Sequence, residues 1–205
     1  RDKENHYYQQ EMVKSAEGII TTNYTPLLCS INTEPQRLAY VNGKLNLFEF
    51  PYELSVFDFS VKNHCPKHKM FFPFIFGTSA IKPIVHGIQA EQLAKVRDIL
   101  KQSDTLVVIG YKINEDDNHL NSFLREFLYD CSSDNNFKRI IYCHYDEIDS
   151  IEELNVTKNI LELLRINKPN DESEYDVRRN LKVLHNRGDA EELFIKISEV
   201  LESAW

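Results

Sequence analysis

From about residue 89 onward the apolar pattern switches repeatedly between two periods, and this alternation constrains the fold more than any other feature. Leu93, Val96, Ile99 and Leu100 recur at helical spacing over about 89–103, and TLVVIGY (105–111) then runs apolar without alternation. Leu120, Phe123, Leu124, Phe127 and Leu128 restore helical spacing over about 118–131, and RIIYCHY (139–145) is rich in β-formers again. Two more helices are predicted near 151–165 and 189–203, with LKVLH (181–185) as the strand between them. Helices and strands in strict alternation imply a parallel sheet covered by helices on both faces, and VVI at 107–109 reads as a strand buried on both sides.

Ahead of this, strands are predicted at GIITT (18–22), LAYVN (38–42) and MFFPFIF (70–76). Six of the seven prolines precede residue 84, so the front half is expected to be rich in loops. The expected fold class is α/β: a Rossmann-like three-layer sandwich with a mostly parallel central sheet. A length of 205 residues suits one domain, 1–205, carrying a loop-rich small module at about 44–88.

Charge excludes one class of partner. The formal net charge is −8, and the acidic runs DEIDSIEE (146–153) and DESEYD (171–176) leave no broad basic face for a nucleic-acid backbone. No apolar stretch approaches the ~20 residues of a membrane span, so no membrane partner is expected. Cys29, Cys65, Cys131 and Cys143 are irregularly spaced, without a signal peptide, which suits reduced thiols in the cytoplasm. The chain opens on Arg1, so the numbering is expected to begin inside a longer protein.

Open parallel sheets bind ligands beyond the carboxyl ends of their strands. That rule selects Thr22 to Thr25, Asn42 to Lys44, Gly110 to Lys112, Tyr142 to Tyr145 and Asn186 to Ala190. The six glycines (18, 43, 77, 87, 110 and 188) are never closer than ten residues, so neither a G-x-G-x-x-G nor a Walker-type loop exists in this chain. Gly43, Gly110 and Gly188 fall at or just past strand ends, where a missing Cβ admits either a plain turn or the close approach of a ligand.

Several segments, taken in chain order, carry a resemblance to a known family. GIITTNYTPLLCS (18–30) ends a strand in Thr22 and Asn23; LAYVNGKLNLFEFP (38–51), TLVVIGY (105–111) and LHNRGDAEELFIKISEVL (184–201) follow in order. Together they resemble the sirtuin-like NAD-binding proteins, over about residues 18–202. NGKLNLFEFP and VVIGYKINEDDNHLNSFLREF (107–127) are most similar to the bacterial branch associated with phage defence. The resemblance implies NAD, as substrate or ligand, with Asn23 at the nicotinamide ribose. Thr22, Gly110, Tyr111, Tyr142, His144, Gly188, Asp189 and Ala190 would line the nucleotide. It further implies a bacterial NAD glycohydrolase in preference to a protein deacylase, assembling as a homo-oligomer. The alternative is a catalytically degenerate nucleotide-sensing or protein-interaction domain.

Departures from the family pattern bear directly on the chemistry. The family's Gly-Ala-Gly-x-Ser loop has no counterpart here, so the N-terminal strand-helix unit is expected to be missing. Gly-Thr-Ser is replaced by Gly110, Tyr111 and Lys112, and Asn42 stands where the resemblance places a general-base His. A carboxamide does not titrate and cannot take a proton from a ribose hydroxyl. General-base catalysis contributes about 10²–10⁴-fold, so deacylation, which needs that step, suffers most. His86 is the one replacement in view, as a loop residue. His64, Cys65 and His68 lack the paired Cys-x-x-Cys of a zinc ribbon, so no metal is expected.

Overall fold

The computed structural model describes residues 14–24, 28, 34–50, 55–58, 70, 72–75, 87–113, 117–129, 138–145, 153–165, 180–186 and 190–203. They belong to two compact units, with the division inside a helix, after Ile99.

The first unit holds β1 (Ile19–Thr21) and β2 (Leu38–Tyr40), paired parallel with Ile19 opposite Leu38 and Thr21 opposite Tyr40. β3 (Gly43–Phe50) is the centre of a separate antiparallel sheet, flanked by β4 (Ser55–Asp58) and β5 (Phe72–Ile75). Helix α1 (Gly87–Gln102) begins in this unit and backs β1 and β2. Its Gln92 Oε1 accepts from Tyr40 N at 2.9 Å, and its Lys95 Nζ donates to Leu38 O at 3.4 Å, so polar groups of the β2 backbone are satisfied by helix side chains. A Cβ on Gly18 would lie 2.5 Å from Ile99 Cγ2, which is how closely the approach to β1 packs on α1. Leu38, Ala39, Tyr40 and Val41 are all buried there.

The second unit is the Rossmann-like part. β6 (Thr105–Ile109), β7 (Arg139–Tyr145) and β8 (Leu181–Asn186) form a parallel sheet in that order. The connections run through α2 (Asn118–Tyr129) and α3 (Glu153–Leu163), and α4 (Ala190–Glu202) follows β8. Consecutive parallel strands joined by right-handed crossovers place both connecting helices on one face. Accordingly α2 contacts β7 and α3 contacts β8, while Arg125 Nε of α2 donates to Leu164 O just past α3 at 2.6 Å. The other face carries α4: Leu193 and Ile197 pack with Ile141, Cys143 and Leu184, and Val107 and Val200 close over them. α2 forms because Leu120, Leu124, Phe127 and Leu128 fall on one stripe, all buried.

The predicted parallel α/β arrangement with helices on both faces is therefore what the 100–205 region adopts. Two strands were not anticipated: β3, the longest among the described residues, and β4. MFFPFIF was predicted as a strand, and its β5 pairs antiparallel with β3. β3 and β4 are separated by residues 51–54 alone, a hairpin-length link that cannot carry a parallel crossover, so these two pair antiparallel.

Candidate functional site

The amino ends of the second unit's strands are closed by structural hydrogen bonds. Lys138, buried just before β7, donates from Nζ to Leu100 O at 2.8 Å, Ser103 O at 2.9 Å and Lys101 O at 3.0 Å. It therefore caps the last carbonyls of α1 with a full positive charge and lies 5.0 Å from the Phe127 ring centroid. Asn180 Nδ2 donates to Lys138 O at 2.7 Å, fixing the entry to β8. Among the described residues these groups at the amino end are committed to structural bonds, and the carboxyl end is where parallel sheets bind ligands.

In the first unit the two parallel strands end side by side, and the segments leaving them stay zipped together. Val41 N donates to Thr21 O at 3.0 Å, and Leu45 N to Tyr24 O at 2.9 Å. Between these, Asn42 Nδ2 donates to Thr22 O at 3.2 Å. Asn23 N donates to Thr21 Oγ1 at 3.1 Å, a local turn that ends the strand and leaves Asn23 exposed. The structure thus brings together Thr22, Asn23 and Asn42.

Asn42 is only 8% exposed, and its Oδ1 is buried without a hydrogen-bond partner. The amide orientation follows from the network: reversing it would set two oxygens against each other at Thr22 O. Asn42 is held rigidly, because the next residue, Gly43, has φ +86° and a Cβ there would meet Phe74 O at 2.2 Å. A buried acceptor left unpaired costs about 1–3 kcal/mol, a cost natural proteins concentrate where function requires it. Beyond it, Lys44 Nζ lies 3.9 Å from Asp58 Oδ2, and Asn46 Nδ2 donates to Asp58 Oδ1 at 3.0 Å.

In the second unit the carboxyl ends carry Gly110, Tyr111, Tyr142 and His144. Gly110 has φ +65°, the left-handed region, and no atom lies within 4 Å of where its Cβ would be. Tyr142 Oη donates to Tyr111 O at 2.9 Å, tying the loop after β6 to β7. The Tyr111 hydroxyl turns away toward α2, 3.4 Å from Asp117 Oδ2 and 3.5 Å from Asn121 Oδ1. Burial, with the Asp117 carboxylate second, holds the Tyr111 phenol well above its ordinary pKa, and burial does the same for Tyr142. Both remain neutral donors at physiological pH. Cys143, on the opposite face, has its thiol pushed up to about 12 by burial, so it is packing material and not a nucleophile.

Gly188 and Asp189 lie outside the described residues, as do Thr25, His64, Cys65, His68 and His86; Ala190 opens α4. Among the described residues there is no group of three or more side chains able to hold a metal. Nor is any helix among them long and apolar enough to cross a membrane. His185 escaped the sequence reading of the carboxyl edge, whereas Asn186 was among the strand-end residues selected, and its Oδ1 is another buried acceptor without a partner. The first becomes visible only through strand register, which sets His185 directly opposite His144.

These features define an α/β protein of Rossmann-like architecture with polar groups gathered at its strand ends. No family model matches the sequence, and neither does any curated protein. Solved structures do. One from a study of the mechanism and regulation of Sir2 enzymes is 17% identical with a TM-score of 0.50, the match covering 95% of this chain and 68% of that one. A Sir2 in complex with a p53 peptide and NAD+ is 9% identical (TM-score 0.48, 94% of this chain and 66% of that one). Sir2Af2 bound to a myristoylated histone peptide is 17% identical (TM-score 0.48, 95% and 69%). The fold is sirtuin-like.

Proposed function

We propose that this chain binds NAD, or a nucleotide of the ADP-ribose type, and hydrolyses NAD to nicotinamide and ADP-ribose as part of a bacterial defence protein acting in the cytoplasm. The observation that carries the reading is the strand-end pair in the first unit, where exposed Asn23 follows Thr22 and the rigid Asn42 carboxamide is anchored on Thr22 O. The likeness of fold to the Sir2 structure of TM-score 0.50 supports the nucleotide assignment.

In hydrolysis the bond from C1′ to the nicotinamide nitrogen breaks, and its electron pair neutralises the positively charged ring as nicotinamide leaves. A water oxygen then bonds to C1′ and its proton passes to solvent. Asn23 can donate to one oxygen and accept from another, so it can hold the ribose and place that water. No step requires a group with a pKa near neutrality, which is the chemistry left to a site with asparagine at position 42. Within the second unit, Gly110, Tyr142 and His144 are the strand-end residues offered to a nucleotide, and Tyr111 supplies its backbone carbonyl to Tyr142.

The test is nicotinamide release from NAD, followed chromatographically, for the wild type and Asn23→Ala. Release by the wild type, reduced about tenfold or more in the variant with the melting temperature unchanged, supports hydrolysis. Asn42 favours a second reading, a degenerate sensor: nucleotide binding by calorimetry with no nicotinamide released. Absence of both binding and release ends the nucleotide assignment.

A further inference from the structure

We propose that His144 and His185 form an aromatic seat on which the planar base of the bound nucleotide stacks. The inference rests on the nucleotide reading above and assigns a role within it to His185. In the parallel register Tyr142 lies opposite Val183 and His144 opposite His185, so the three ring-bearing side chains share one face of the sheet. Their rings form a continuous file. Tyr142 and His144 are stacked, with centroids 6.2 Å apart and planes 29° apart, and His144 meets His185 edge-to-face at 5.8 Å and 78°.

The file is graded in exposure. Tyr142 is buried and anchored through Tyr111 O, whereas His144 and His185, toward the carboxyl end, are only half-buried. A row of rings that begins in the core and ends in two half-buried imidazoles, with His185 Nε2 itself buried, is a place where one more flat ring can stack. Its backbone is also fixed from behind: Lys196 Nζ of α4 donates to His185 O at 3.2 Å while paired with Glu192. Packing alone gives no reason for adjacent imidazoles here, since the neighbouring positions of the same face are filled by Ile140, Leu181 and Val183. A π-face at a strand end binds heterocyclic bases through stacking, without needing a hydrogen bond to any particular edge.

ADP-ribose is the probe, because it carries the base and has no nicotinamide to lose. Calorimetry is run on the wild type, His185→Ala, His185→Phe and His144→Ala, with melting temperatures measured without ligand. Either alanine variant should weaken ADP-ribose about tenfold or more, and His185→Phe should restore most of the loss because a ring without nitrogens still stacks. Alanine variants that bind as the wild type does, or a phenylalanine variant as weak as alanine, overturn the seat while leaving nucleotide binding intact. Alanine variants that lose binding only in proportion to a lowered melting temperature show a structural ring pair and overturn it too. A wild type that does not bind ADP-ribose overturns both the seat and the nucleotide reading.

Discussion

Two glycines in left-handed backbone separate the requirements of folding from those of binding, because the space around them differs. At Gly110, φ +65°, a methyl group would enter open space; at Gly43, φ +86°, it would meet Phe74 O at 2.2 Å. Left-handed backbone costs a residue bearing Cβ about 1–2 kcal/mol. For a chain of 205 residues that is roughly 2–8 °C in melting temperature. Gly110→Ala should stay within that range, yet its methyl group projects into the space where a nucleotide backbone would approach, so ADP-ribose binding should weaken about tenfold or more. Gly43→Ala carries the same backbone cost plus overpacking against β5 of about 1–3 kcal/mol, for a total of about 2–5 kcal/mol. Scanning calorimetry ranks the two stabilities, and isothermal calorimetry reads the binding. A Gly110→Ala protein that binds ADP-ribose as tightly as the wild type refutes the close approach at β6. A Gly43→Ala protein that melts no lower than Gly110→Ala refutes the packing account of the Asn42 turn.

Replacing Lys138 by Met removes the charge that caps α1 and leaves the carbonyls of Leu100, Lys101 and Ser103 to find other donors. Urea unfolding should show a loss of about 2–4 kcal/mol, and an unchanged midpoint would contradict the cap. Cys143 gives a prediction in pH. Its folded-state pKa of about 12 lies above the ordinary value of 9.0, so the native state holds a proton that the unfolded chain releases first. Its contribution to stability is therefore complete below pH 9 and declines as pH rises toward 12. Cys143→Val should flatten the fall in stability over that window, and an identical slope in both proteins would count against the burial assignment.

The order of helices and strands after residue 87 was legible in the sequence because each element there carries a single period. All four predicted helices lie within a few residues of those observed, and RIIYCHY is buried through most of its length; the VVI run expected to be buried on both sides is so only at Val108, since Val107 is half-buried and Ile109, at the end of β6, is exposed. Thr22, Asn23 and Asn42 could be nominated because strand ends are where parallel sheets present polar groups. Tertiary structure alone decided the rest. β4 pairs antiparallel with β3 because the four residues between them, 51–54, are too few for a parallel crossover, a constraint of chain length and not of residue preference. His185 joins His144 only through the register of β7 against β8, since residues 41 positions apart carry no local sign of contact. That Asn42 donates to Thr22 and leaves its oxygen buried and unpaired is likewise a property of two strand ends meeting in space: sequence fixes which groups a chain owns, and packing fixes which of them find partners.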